Sequence, residues 1–243
     1  MLEEDSILRQ VPAAINPKQA LFIDGIRHAA EIITLAYERL RGTLTEMALN
    51  PPSTSEIPKV STRAFLDAWA MIDAIDRFRM LYLQMPGISF SQSEEGIETL
   101  EKVLTPFRNL RNVADHIAQR ADFIVSRGSA ALGSLSWLTG FKVDPITAWY
   151  CTLRPGTLRK QPELGKEPLV STLDWPTDRI IMVAGGHEGN LSSVRSHIQV
   201  RVNHFEGQLK EAFTKLNLQD SPAASDVFTR QAFSPTPGQI IKE

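Results

Sequence analysis

The chain has 243 residues, with 26 lysines and arginines against 28 aspartates and glutamates, a net charge of −2 and a hydrophobic fraction of 42%. That is enough length to bury a real core, in an ordinary globular composition without the overall basic excess that marks many nucleic-acid binders. Its one cysteine, Cys151, excludes an internal disulfide or a cysteine-rich zinc site, no apolar run nears the length of a membrane span, and the acidic start MLEEDSILRQ lacks the apolar segment of a secretory signal, so a cytoplasmic protein off the membrane is predicted.

Residues 1–15 hold no sustained period and are predicted to be a loose or docking arm. Asn16-Pro17 reads as a helix cap followed by proline at the first helical position. From there Phe22, Ile26, Ala29, Ile33, Ala36, Leu40, Leu44 and Met47 keep helical spacing, which predicts a long amphipathic helix to about Leu49. His28 lies on it and reads as an ordinary surface or core residue. Residues 50–61, rich in proline and serine, are predicted to be a loop. A second helix is predicted from Ser61 or Thr62 to about Met85, with Phe65, Trp69, Ile72, Ile75, Phe78 and Tyr82 on its apolar face and Pro86-Gly87 ending it. Its charges Asp67, Asp73, Asp76, Arg77 and Arg79 read as a solvated face, with Asp73 and Arg77 an i,i+4 pair. The sharper alternative is an aspartate that orients a residue of the next helix.

A third helix is predicted from about Ser93 to Glu95 through Ile97, Leu100, Val103 and Leu104. Proline inside a helix removes a hydrogen bond and clashes with the preceding turn, so Pro106 is expected to separate this helix from the next. That next helix would take Thr105 as cap and Pro106 as first residue, and run to about Ser126 before Gly128. Phe107, Leu110, Val113, Ala114, Ile117, Ala121 and Ile124 form its apolar stripe; Arg108, Arg111, Asn112, Asp115, His116 and Gln119 occupy the opposite face.

Beyond Gly128 the texture changes. Segments 132–138, 146–153 and 179–184 are rich in β-branched and aromatic residues and read as strands, 168–173 is a candidate fourth, and 154–167 is a locally basic exposed loop or open hairpin arm. A glycine-rich turn, 185–190, leads to a last helix capped by Ser192 or Ser193, with Val194, Ile198, Val202, Phe205, Leu209, Phe213 and Leu216 inward and His197, Arg201 and His204 along one flank. Residues 217–243 lose all periodicity and are predicted to be a disordered tail. The predicted class is mainly α with α+β character: one domain over 16–216, a long-helix bundle with a small antiparallel sheet inserted at about 130–185, before the last helix.

The chain has no phosphate-binding loop with lysine, no dinucleotide fingerprint, no nucleophile elbow and no H-E-x-x-H, so no cofactor is expected. The amides of Gly185-Gly186-His187-Glu188-Gly189-Asn190 either bind an anion at the following helix or simply make a tight strand-to-helix turn. His197 and His204 lack companion ligands, so no metal is expected either. Cys151 alternates with Trp149 on a strand and reads as a small core residue.

There remains Arg111-Asn112-Val113-Ala114-Asp115-His116. This arrangement, an arginine, a polar residue and a histidine after four intervening positions on a long helix, resembles the HEPN superfamily of helical-bundle proteins. The resemblance covers the motif and, more weakly, the helices over 17–126; the strands depart from it. It implies a metal-independent endoribonuclease of a defence or toxin type, acting on RNA as a homodimer that brings two motifs into one cleft. His116 would move protons at the ribose 2′-oxygen or the leaving 5′-oxygen, Arg111 would hold the scissile phosphate, and Asn112 would orient either, with Arg108 and Asp115 beside them to bind substrate. Some members would instead be non-catalytic modules that bind a partner protein or nucleotide.

Helix geometry complicates the catalytic reading. Residues five apart lie roughly 140° apart around a helix axis, so Arg111 and His116 flank the polar face instead of touching. A shared site then needs arginine's reach, or Arg111 of one chain meeting His116 of another, and the second option favours a symmetric dimer. The plain alternative is an i,i+4 pair between Arg111 and Asp115, with His116 at the edge of the apolar stripe.

Overall fold

The computed structural model describes residues 2–87, 94–126, 130–143, 146–156, 176–218 and 226–231. The predicted class is what the chain adopts: a mainly helical bundle carrying a small antiparallel sheet ahead of its last helix.

α1 (Pro17–Leu49) begins where the cap-and-proline pair places it, with the Asn16 side chain accepting the Lys18 N–H at 2.9 Å. α2 (Ile57–Leu83) starts a turn earlier than its apolar period suggests. Just ahead of that turn the Glu56 carboxylate accepts both the N–H and the hydroxyl of Ser53, which holds the carboxyl below its usual range. The two helices run antiparallel, since Gln19 donates to the Pro86 carbonyl, Gly25 lies against Leu81, and Arg39 reaches Asp67. Ile26, Ile33, Leu40, Phe65, Ile72 and Phe78 fill the seam and are almost wholly buried.

α3 (Glu94–Asp115) corrects the expectation at Pro106, for the helix runs straight through it. Thr105, expected to cap, instead donates its hydroxyl to the Glu101 carbonyl within the helix. The helix persists because packing outweighs the local penalty of the proline: Leu104 and Phe107, on either side of Pro106, are both buried, as are Leu100, Leu110 and Val113 further along. α3 also ends at Asp115, short of the expected Ser126. Past Val113 the stripe is covered only in part, with Ala114 and Ala121 exposed and Ile117 half-buried, and the chain turns into a short α4 (Ala121–Ser126) held by Ile124.

The sheet has strand order β2-β1-β3-β4, every neighbour antiparallel: β1 (Ser134–Val143), β2 (Ile146–Leu153), β3 (Thr177–Ala184) and β4 (His187–Asn190). Three of these were legible in the sequence. The fourth lies within the glycine-rich turn, and the candidate at 168–173 falls outside the described residues. Gly185 and Gly186 both have positive φ, as the two central residues of a type I′ hairpin require, so they join β3 to β4. Gly189 lets β4 come close to α3: a Cβ there would stand 2.8 Å from the Phe107 ring and 2.9 Å from Leu110.

A chain of hydroxyls ties the sheet to α1. Thr45 meets Thr177 at 2.6 Å, Thr177 meets Thr139 at 2.8 Å, and Arg41 donates to the Thr177 carbonyl at 2.8 Å. α5 (Leu191–Lys215) closes the bundle, capped by Asn190 in place of either serine. Ser192 is engaged elsewhere, its oxygen accepting from Tyr37 on α1 and from the Ile180 N–H on β3. At the far end Asn217 has positive φ, the Leu218 N–H reaches the Phe213 carbonyl and the Asn217 N–H reaches Thr214, a Schellman motif. Leu216, expected inward, is therefore exposed, and Leu218 packs on the core in its stead.

Of the two expectations for the N-terminal arm, loose or docking, the second is what forms. Leu2, Leu8 and Val11 join the core, a 3-10 turn spans Ile7–Arg9, and the Ser6 hydroxyl donates to Glu206 on α5. Within the tail, the described residues 226–231 form no helix or strand, as expected, but Asp226 is tied to Arg27 on α1.

Filling the close approach at β4 tests this packing. Gly189→Ala is expected to lower stability by about 1–3 kcal/mol through overpacking, and Phe107→Leu in the same chain to restore part of it. Urea titration of the single and double variants reads the difference.

Candidate functional site

The polar face of α3 meets α2 through one buried carboxylate. Asp76 lies in the apolar seam of α2 and is 4% exposed. It accepts from Arg79 Nε at 2.8 Å and from Arg111 at 2.8 Å. Asp73 sits 3.1 Å from Arg111 Nε and 2.8 Å from Arg77, while Asp115 stands farther off, at 3.8 Å. The Arg111 guanidinium is thus surrounded by carboxylates of its own chain, Asp76 foremost, and its pKa is pushed up by them.

This corrects the solvated-face reading of α2 for Asp76, and the sharper alternative is what forms: an aspartate orienting a residue of the next helix. Asp67 also leaves that face. It is buried with Arg39 at 3.2 Å, and burial pushes its carboxyl up despite the arginine.

The other motif residues separate around Arg111. Asn112 is half-buried on α3 and Arg108 and Asp115 are exposed. His116 is exposed, one residue past the helix, with its carbonyl accepting the Arg120 N–H at 3.0 Å in the turn toward α4. Arg111 therefore faces inward to α2, and His116 lies at the open end of the helix.

No family profile, curated protein or solved structure matches this chain. The site is therefore read from its own chemistry.

Two further places have chemical character. At the start of α1, Asp24, His28 and Asp226 bring ligand atoms within 4.8 Å of one another. A cation already lies among them: Arg27 donates to Asp24 at 2.8 Å, to Asp226 at 2.7 and 3.1 Å, and meets His28 Nε2 at 2.9 Å. Its side chain is only 8% exposed. The sequence did carry a signal for it, since Arg27 falls on the inward stripe with Ile23, Ala30 and Thr34. A charge in that position has to be paired.

The other place is a cavity of about 340 Å³ between the end of α1 and the sheet, lined by Met47, Pro51, Trp137, Trp149 and Cys151. Cys151 lies opposite Trp137 across β1 and β2, and burial pushes its thiol up, so it behaves as a small apolar residue and not as a nucleophile.

Removing the buried carboxylate should expose the hierarchy of these contacts. Asp76→Ala is expected to cost about 3–5 kcal/mol, because Arg79 loses its carboxylate and Arg111 keeps only the more exposed Asp73 and Asp115. Asp115→Ala should cost under about 0.5 kcal/mol, as an exposed and distant pair. A double-mutant cycle should give a larger coupling for Arg111 with Asp76 than with Asp115.

Asp67 has the opposite sign. Its carboxyl titrates higher in the folded chain than in the unfolded one, so the ionised group costs stability at neutral pH, and that cost fades as pH falls toward about 3.9, the unfolded value. Asp67→Asn is expected to raise the melting temperature at pH 7, with the gap to wild type closing on acidification.

Proposed function

We propose that this chain is a non-catalytic helical module that binds a partner protein, with the Arg111-Asn112-His116 helix serving the bundle and not a reaction. One observation carries this: Asp76, Asp73 and Asp115 surround the guanidinium that a ribonuclease would need for phosphate. An incoming phosphodiester would compete with a buried carboxylate for the same donors and meet the repulsion of all three. The homodimer loses its motive as well, since it was expected from an Arg111 left available to a second chain's His116.

A HEPN-like, metal-independent endoribonuclease is the second reading. What favours it is the exposure of His116 and Arg108 near the end of α3, with Asn112 half-buried between them.

The discriminating experiment is incubation of the purified chain with total cellular RNA in EDTA. No cleavage is expected at any protein concentration, and His116→Ala should change stability by less than about 0.5 kcal/mol, as for other exposed positions. Cleavage that disappears in both His116→Ala and Arg111→Lys, with products ending in a 2′,3′-cyclic phosphate, would establish the ribonuclease instead.

A further inference from the structure

The face of the sheet turned toward α1 carries Trp137 on β1 and Trp149 and Cys151 on β2. Alternate residues of a strand share a face, and the register sets Cys151 opposite Trp137 and Trp149 opposite Thr139. Thr139 is wholly buried in the hydroxyl chain that reaches Thr45 on α1. Thr45 is tied down two residues before Met47, and Arg41, one turn earlier, is bonded to the Thr177 carbonyl, so the last turns of α1 are fixed against the sheet. The cavity of about 340 Å³ is the space left between them, with Met47, Ala48 and Pro51 on one side and Trp137, Trp149 and Cys151 on the other. It lies beside β2, the outer strand of the sheet.

Two features of the walls are unexplained by packing. Trp137 is only 2% exposed, yet its indole Nε1 has no hydrogen-bond partner among the described residues. A buried donor left unpaired loses its hydration without return. Trp149 is the reverse case, 53% exposed but held in place by Phe141, with ring centroids 5.3 Å apart and planes 21° from parallel. A ring already immobilised by a stacked neighbour gives up little freedom when a ligand covers it. No charged side chain lines the cavity, and burial keeps the Cys151 thiol in its neutral form. A charged ligand would therefore lose its hydration there without meeting a counter-charge. The volume is at the small end of the range for such sites, which suits a molecule of about two fused rings.

We propose that this cavity binds a small, uncharged, planar aromatic molecule bearing a carbonyl group, with its ring laid against Trp149 and its carbonyl oxygen accepting the Trp137 indole N–H. A plain hydrocarbon ring gains the stacking but leaves the donor unpaired, so the carbonyl sets the specificity. Met47, unbranched and adaptable, lets the α1 wall close on ligands of slightly different outline. This site goes beyond the partner-binding reading above and does not depend on it.

The probes are coumarin, a fused pair of rings with a carbonyl, and naphthalene, a fused pair without one. Each is titrated into the full chain labelled with nitrogen-15, and the tryptophan indole N–H signals are followed by NMR. Coumarin should move the Trp137 indole proton downfield, as a new hydrogen bond requires. The Trp69 indole N–H, which is likewise buried and unpartnered but lines no part of this cavity, should stay in place. Naphthalene should bind about three- to tenfold more weakly, the worth of one hydrogen bond. Trp137→Phe should erase that difference between the probes, and Trp149→Ala, at an exposed position, should weaken both. Where Trp137→Phe fails to fold, the two probes on wild type and on Trp149→Ala still decide. An unmoved Trp137 signal in saturating coumarin, equal affinity of wild type for the two probes, binding indifferent to Trp149→Ala, or no binding of coumarin at all would each overturn the proposal.

Discussion

The bundle depends on a carboxylate taken out of water. Asp76 sits on the inward face of α2, where an aliphatic residue would ordinarily stand, and it is tolerated because Arg79 and Arg111 both reach it. Such a pair adds little net stability against a well-packed apolar substitute. It does impose geometry, since it fixes which turn of α3 lies against which turn of α2, where apolar contacts alone would permit sliding. The cost of leaving either charge unpaired makes the neighbouring registers unfavourable.

With α3 fixed in register, the sheet can be placed. β4 approaches α3 at Gly189, directly over Phe107 and Leu110, and the β3–β4 turn brings Gly185 against Val113. These glycines serve contact with a helix behind them, which is why they cluster before α5. The same hairpin leads into α5 through Asn190, and Ser192 then gathers Tyr37 and Ile180 at one oxygen. Three elements, one of them 155 positions away, are joined there by one hydroxyl.

The sequence conveyed the helices well, because their cores are periodic and Asn16-Pro17 is a strong local start signal. It misled at Pro106, where local chemistry argues for a break and the burial of Leu104 and Phe107 on either side overrides it. It also misled at Ser126, since an apolar stripe predicts a helix but not whether a partner exists to cover its end. β4 was missed because four residues containing a glycine have no recognisable period, although Gly-Gly after a strand was a hairpin signal in plain view. The arginine-histidine motif was easy to see, but its meaning lay in Asp73 and Asp76, some 35 residues earlier. Nothing in the spacing of Arg111 and His116 reveals that an aspartate on another helix has already engaged the arginine. Arg27 was legible in principle, as a charge on an apolar stripe, whereas its partner Asp226, 199 positions away, was not.

The docked arm has a consequence for synthesis. Ser6 is bonded to Glu206, a contact spanning 200 positions, and Leu8 is buried in the same core. On a ribosome the arm emerges before the other described elements, and its α5 partner only after all the other helices and strands among them. Until α5 emerges, Leu2, Leu8 and Val11 are apolar residues without their final cover. The arm can therefore complete its docking only when α5 arrives, so that closure of the bundle and concealment of these apolar residues are one event.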